Sequence, residues 1–250
     1  SATDDTRVRT AIAWLEEVGF LGPRSVHRHV LENDYLSKSL RIESRGWIWR
    51  ALKKLALLLT GRRPLSGMNE LVEKLKQHLK IRGGFFVEVG GNDGLAQTNT
   101  LYFEKYRWWK GMLIEPIPQL AERCRINRPK CIVENVALVS SDFKEKKVEM
   151  RYCGLMSMVR GAMPLEDENK HIQIGSEIQK IESYALSVPA ETLSALLDKH
   201  QVKEIDFLSL DVEGYELSVL KGIDFERHRP QWMLIEARYR KEIDEYLESF

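Results

Sequence analysis

Two short stretches hold the residue types that can do chemistry. The first is Phe86-Val87-Glu88-Val89-Gly90-Gly91-Asn92-Asp93-Gly94, an apolar run that meets three glycines and two carboxylates. Glycine lets a backbone approach a ligand closely. The next apolar run ends in Glu115, 21 residues after Gly94, where an acid can accept both hydroxyls of a ribose. The second stretch is Asp206-Phe207-Leu208-Ser209-Leu210-Asp211-Val212-Glu213-Gly214-Tyr215-Glu216. A buried strand there would deliver Asp211 and Glu213 to the carboxyl edge of a sheet, where α/β proteins bind ligands. A later apolar run ends likewise in Glu236. Glu115, Asp211 and Glu236 are therefore expected to terminate three parallel strands on one edge.

Charge narrows the ligand. A dinucleotide fingerprint needs G-x-G-x-x-G, with bare amides facing a pyrophosphate. Here the spacing differs, and Glu88 and Asp93 flank the turn. A carboxylate within contact range of a pyrophosphate repels it by on the order of 1 kcal/mol or more. S-adenosylmethionine has a ribose, no phosphate, and two cationic centres, so an acid-lined glycine turn suits it. A plainer alternative is that the turn only joins a strand to a helix, with Asp93 capping it. Glu216 has a similarly plain alternative, favourable placement at a helix N-terminus. Asp211 does not, since a carboxylate ending an apolar strand is costly unless partnered.

Such residues need a scaffold that places strand ends side by side. Phe85–Val89, Met112–Ile114, Cys131–Val133 (extending toward Val139), Ile205–Leu210 and Trp232–Ile235 read as strands. Helices are expected around Leu101–Tyr106, Glu191–His200 and Tyr215–Lys221. This alternation predicts an α/β fold, a mostly parallel sheet with helices on both faces. Helical patterns also occupy Val8–Gly19, Trp47–Thr60 and Met68–Lys80 before Gly83-Gly84 breaks the period. Two regions follow, a helical 1–82 and an α/β 83–250. The stretch 140–187 has no clear period; its polar part, Arg160–Ile181, reads as a mobile loop or a substrate-facing insertion.

Composition sets outer bounds. The 250 residues are 43% hydrophobic and 30% charged, ordinary for a packed protein. No apolar run is long enough to span a membrane, and Ser1–Asp5 lacks a secretory leader's apolar core. Cys124, Cys131 and Cys153 are sparse and without C-x-x-C spacing, so a reduced, cytoplasmic setting is expected. The net charge of +1 hides an asymmetry. Residues 1–82 carry 16 Lys and Arg against 9 Asp and Glu, and the remainder 22 against 28. The basic, tryptophan-bearing segment Trp47–Arg63 is expected to pack on the acidic part or form a homodimer seam. Its alternative is contact with an anionic membrane surface, which would put the protein at the membrane's inner face. Nucleic acid is a poor partner, because the acidic part offers no phosphate track.

Together the two stretches resemble the FkbM family of S-adenosylmethionine-dependent methyltransferases. The matching segments are Phe86–Gly94 with Gln97 to Thr100, Gly111–Pro116, Asn135–Leu138, Ile205–Gly222 and Leu234–Ala237. The run D-V-E-G-x-E at Asp211 to Glu216, closed by Leu220-Lys221-Gly222, is the most specific. The resemblance implies a Rossmann-like class I methyltransferase sheet and O-methylation, often of sugar hydroxyls in glycans or natural products. Gly90, Gly91 and Gly94 would shape the cofactor turn, with Asp93 and Asn99 beside it. Glu88 and Asn92 would line the methionine end. Glu115 and Pro116 would hold the ribose side, and Asn135, Val136 and Ala137 would border the adenine. Asp211 would lie near the methyl group, with Glu213 beside it. Three departures stand out. Ser209 replaces a common lysine, Glu88 replaces a common aspartate, and the family sheet has two further strands. Only fourteen residues follow Glu236, so either the chain is trimmed or part of that sheet edge comes from elsewhere.

Methylating a sugar hydroxyl of a carbohydrate or glycoside acceptor requires taking its proton as the new bond forms. Asp211 is the first candidate for that base, with Glu213 and Glu236 alongside. A carboxylate of ordinary pKa is weak for this task, so either burial raises its pKa or a divalent cation acidifies the alcohol. Asp211, Glu213 and Glu236 could hold Mg2+ for the second route. His171 and His228 are further candidates, although a histidine in a charged stretch is more often solvated. Tyr106, Trp108 and Trp109 could stack on a sugar ring, but packing is the expected use. Two rivals remain: a catalytically silent relative serving as an interaction platform, and a nicotinamide-dependent oxidoreductase.

Overall fold

A computed structural model describes residues 70–250. The expected helices at Val8–Gly19 and Trp47–Thr60, and the surface role of Trp47–Arg63, lie outside the described residues. Helix α1 (Glu70–His78) turns Leu71, Val72 and Leu75 inward, and Leu79 follows. Leu71, Leu75 and Leu79 join the same core as the sheet, so the packed unit begins before residue 83.

Five parallel strands form the main sheet: β1 (Phe85–Val89), β2 (Lys110–Ile114), β3 (Ile132–Glu134), β8 (Ile205–Leu210) and β9 (Pro230–Ile235). Their order is β3-β2-β1-β8-β9. Val89 pairs with Ile114 and Leu210, and Leu210 with Ile235. The residues just past these positions, Gly90, Glu115, Asp211 and Glu236, therefore stand in a row along one edge. The strands are nearly continuous apolar runs because both faces are covered. Helices α2 (Leu101–Arg107) and α3 (Pro118–Asn127) link strands running one way from β1. Helix α6 (Glu216–Leu220) links β8 to β9 in the other direction. Right-handed crossovers then place α6 on the face opposite α2 and α3. The order reverses between β1 and β8, and a crevice forms at such a switch point.

The stretch that had no clear period is ordered. Strands β4 (Ala137–Leu138), β7 (Tyr184–Glu191), β5 (Lys147–Tyr152) and β6 (Met158–Val159) form a second, mixed sheet in that order. β5 alternates exposed Lys147 and Glu149 with buried Val148 and Met150. The expected extension of the third strand to Val139 is corrected, since the chain leaves the main sheet after Glu134 and re-enters pairing in the second. The expected loop at Arg160–Ile181 is corrected as well: it contains helix α4 (Leu165–Gln179), with Glu166, Asp167 and Glu168 in its first turn, where acids suit the helix dipole. Its buried stripe is Glu168, His171, Ile172 and Gly175. That helical spacing is built from polar and small residues, so hydrophobic periodicity does not reveal it. A Cβ at Gly175 would lie 2.4 Å from Cys153 Sγ, so only glycine lets the helix approach this closely. Helices α5 (Leu193–Lys199) and α7 (Arg240–Leu247) complete the seven described helices. All three cysteines are free, and no described helix is long and apolar enough to cross a membrane.

A Cβ at Gly111 would sit 2.2 Å from the Phe86 ring across the β1–β2 pair. Gly111→Ala should therefore cost about 1–3 kcal/mol through overpacking. Chemical denaturation checks this, and an unchanged midpoint would contradict the packing described.

Candidate active site

At the switch point the backbone of β8 crosses very near the end of β1. Asp211 N donates to Val89 O at 3.2 Å. A Cβ on Gly90, whose φ is +86°, would fall 2.1 Å from Asp211 O. Glycine is thus required both by conformation and by space. The amides of Gly90 and Gly91 donate to Ile114 O at 3.0 and 3.2 Å, which ties the turn to β2.

Behind this turn lies a buried ionic network. Glu88 does not line the cleft, contrary to the expectation from the resemblance. Its Oε2 accepts from Thr98 Oγ1 at 2.8 Å and Thr100 Oγ1 at 2.5 Å, and its Oε1 from Asn99 N at 2.8 Å. The carboxylate shapes the far arm of the loop from within. Arg128, fully buried, pairs with Glu104 and lies 3.9 Å from Glu88. It also donates to Gly94 O, Thr98 Oγ1 and Thr100 Oγ1. A buried charge needs such a full set of partners. Asp93 takes the plainer of its two roles: its Oδ1 accepts from Leu95 N and Ala96 N, closing a local turn. Gly91 and Gly94 pack against Leu113, Cys124 and Arg128 rather than facing the cleft. Asn99 Nδ2 donates to Ser209 Oγ at 3.0 Å, so Ser209 helps anchor the loop where the family commonly has lysine.

An open cleft lies beyond the strand ends. One wall is apolar, formed by Ile117, Leu120, Val136, Ala137, Met150 and Val159. Gly90, Asn92 and Pro116 also line it. Glu115 sits between the apolar wall and the turn. Its Oε2 accepts from Asn92 N at 2.8 Å and its Oε1 from Ile117 N at 2.9 Å. Burial nevertheless pushes its pKa up to about 7, against the lowering effect of those two amides. Asn135 is adjacent but faces away, donating to the carbonyls of Glu115 and Pro116 and so setting the loop after β2.

Asp211 and Glu213 line the other end with Tyr215. Burial first, then the like charges of Glu236, Glu213 and Glu216, hold the Asp211 carboxyl well above the usual range. A side-chain hydrogen bond with Glu236 adds to this and favours the protonated Asp211 carboxyl. Glu213 lies in the left-handed region at φ +54°. Its Oε2 is 3.6 Å from His171 Nε2 and 3.6 Å from Arg238 Nη2. Glu216 is buried beneath the turn, and its Oε1 accepts from Val212 N and Gly214 N. Burial raises it to about 7, and its Oε2 has no partner among the described residues. The cleft therefore presents the acids Glu115, Asp211 and Glu213, and among the described residues no Lys, Arg or His lines it.

A family comparison returns the methyltransferase FkbM domain, matched over residues 88–250. The chain belongs to the FkbM methyltransferase family. Comparison with curated proteins and with solved structures finds no match. Within the FkbM domain, the expected Mg2+ set of Asp211, Glu213 and Glu236 is corrected. Among the described residues no group of three or more His, Cys, Asp or Glu could hold a metal ion, because Asp211 and Glu236 engage each other while Glu213 faces a cation.

The expected solvation of the two histidines is corrected too. His171 is buried, with Nε2 3.0 Å from Met156 O and Nδ1 3.2 Å from Arg238 Nη2. Since Arg238 can only donate, Nδ1 accepts and Nε2 donates, leaving neither nitrogen free to act as a base. His228 is buried far off, against Ser194 and Asp198. Trp109 packs in the core, while Trp108 is exposed at the opposite sheet edge, so neither stacks on a ligand in this cleft. Sequence reasoning missed Arg128 and Arg238, and took His171 for a possible base rather than a brace. Each acts through contacts distant in sequence, and none falls in a recognisable motif.

Glu216 has a raised pKa in the fold and an ordinary one near 4.5 when unfolded. The folded state holds its proton more tightly, so the contribution of Glu216 to stability is fully present below about pH 4.5 and is lost as the pH rises through about 7. The size of this loss is on the order of 3 kcal/mol. Glu216→Gln should be close to neutral at pH 5 and stabilising at pH 8. Urea unfolding at both values checks this; a variant less stable than wild type at pH 8 would contradict it.

Proposed function

We propose that this FkbM domain is an S-adenosylmethionine-dependent O-methyltransferase acting on a sugar hydroxyl of a glycan or glycosylated natural product. The supporting observation is the cleft's chemistry: three carboxyl groups and, among the described residues, no cation on its lining. Such a site repels phosphate and attracts a cation. The residues fit the cofactor in three places. The apolar wall of Ile117, Leu120, Val136 and Ala137 suits a flat aromatic base. Glu115 spends one lone pair per oxygen on backbone amides, leaving others for two ribose hydroxyls. Asp211 and Glu213 suit the ammonium and the sulfonium. When bound, the cofactor supplies an electrophilic methyl group on a cationic sulfur.

The protein's own task is to hold an acceptor hydroxyl in line and take its proton. Burial is the route to a stronger base that this chain's side chains supply. Asp211 and Glu236 together retain one proton and one negative charge, as closely spaced carboxyls do. The ionised member accepts the hydroxyl proton, and its partner's hydrogen bond steadies the pair.

Asp211→Asn should bind S-adenosylhomocysteine within about threefold of wild type by calorimetry, while turnover falls by about 10²–10⁴-fold. Turnover is read as a single added methyl by mass spectrometry across a panel of sugar glycosides. Unchanged turnover would remove Asp211 from the role of base.

A further inference from the structure

The opposite edge of the main sheet has a different character. There the chain leaves α1, enters β1 at Phe85, and returns from α2 into β2 at Lys110. Trp109 Nε1 donates to Ile81 O, Gly83 N to Arg107 O, and Arg107 Nη1 to Lys80 O, so these two connections form one surface. Large apolar side chains stand out from it. Trp108 is 68% exposed, Tyr106 52% and Ile81 48%. Arg82 lies over the Trp108 ring at 4.8 Å. Exposed Lys80, Lys105 and Lys110 surround it, and these four cations make no ion pair among the described residues.

Trp108 carries the argument further. It caps α2 in the left-handed region at φ +58°, where glycine is the usual residue. A bulky side chain there is strained, and this one contributes nothing to the core. Strain at an exposed aromatic residue points to use rather than stability. We propose that this surface docks on an anionic bilayer. Protruding Trp, Tyr and Ile side chains suit the headgroup region, where aromatic side chains concentrate. The exposed Lys and Arg suit acidic lipid. The cleft lies at the other strand end, about 16 Å away, and so faces the aqueous side.

The test is sedimentation of the full chain with vesicles of phosphatidylcholine and phosphatidylserine at roughly two to one, against phosphatidylcholine alone. Binding is expected to the mixed vesicles only, and to weaken as salt rises. Trp108→Gly should lower partitioning on the order of tenfold, and Arg82→Gln and Lys105→Gln about fivefold each. Trp108→Gly should leave Tm unchanged or raise it, because glycine relieves the cap. Four results would overturn the proposal. They are no sedimentation, undiminished binding by Trp108→Gly, a Tm fall in that variant, or a dimer in solution that the same substitution dissolves.

Discussion

Carboxyl groups crowded at one end of a sheet repel one another, and the fold must contain that repulsion before it can use it. Each acid is restrained by a different device. Arg128 pairs with Glu104 inside the core, while Glu88 accepts from Thr98, Asn99 and Thr100 with Arg128 nearby. Glu115 and Glu216 each receive two backbone amides. Asp211 and Glu236 share a hydrogen bond, and Glu213 faces Arg238. With Glu88 and Glu104 satisfied internally, the charge reaching the cleft comes from Glu115, Asp211 and Glu213. The carboxylates that the sequence places beside the glycine turn are therefore not the ones a ligand meets. The acids on the cleft lining are others, Glu115, Asp211 and Glu213.

Much of the scaffold was legible because its strands are short apolar runs ending in acids. Phe85–Val89 and Ile205–Leu210 were readable to the residue, since both faces of a parallel strand are buried and the apolar run stops where the sheet stops. Glu115, Asp211 and Glu236 were readable as strand-end acids for the same reason. The second sheet and α4 were not. β5 shows its alternation only over Val148 and Met150, and α4 hides its inward face in Glu168, His171 and Gly175. Arg128 could not be foreseen either, because its partners lie at Glu88, Gly94, Thr98, Thr100 and Glu104, and nothing local marks a surface-type residue for full burial.

The molecule is polar from end to end. One strand edge gathers acids around a cleft, and the other shows cations, without an ion pair among the described residues, around an exposed tryptophan. The polarity follows from the parallel arrangement, since every strand begins at one edge and ends at the other. His171 and Arg238 link the second sheet's helix to the D-V-E-G turn, so the part of the chain least legible in sequence braces the most recognisable motif.

The most direct measurement is isothermal titration of the wild-type protein with S-adenosylmethionine and, separately, with NAD+. A cleft selected for a cation without phosphate should give a saturable heat with the sulfonium compound and none with the dinucleotide. Saturable NAD+ binding with no response to S-adenosylmethionine would contradict the account.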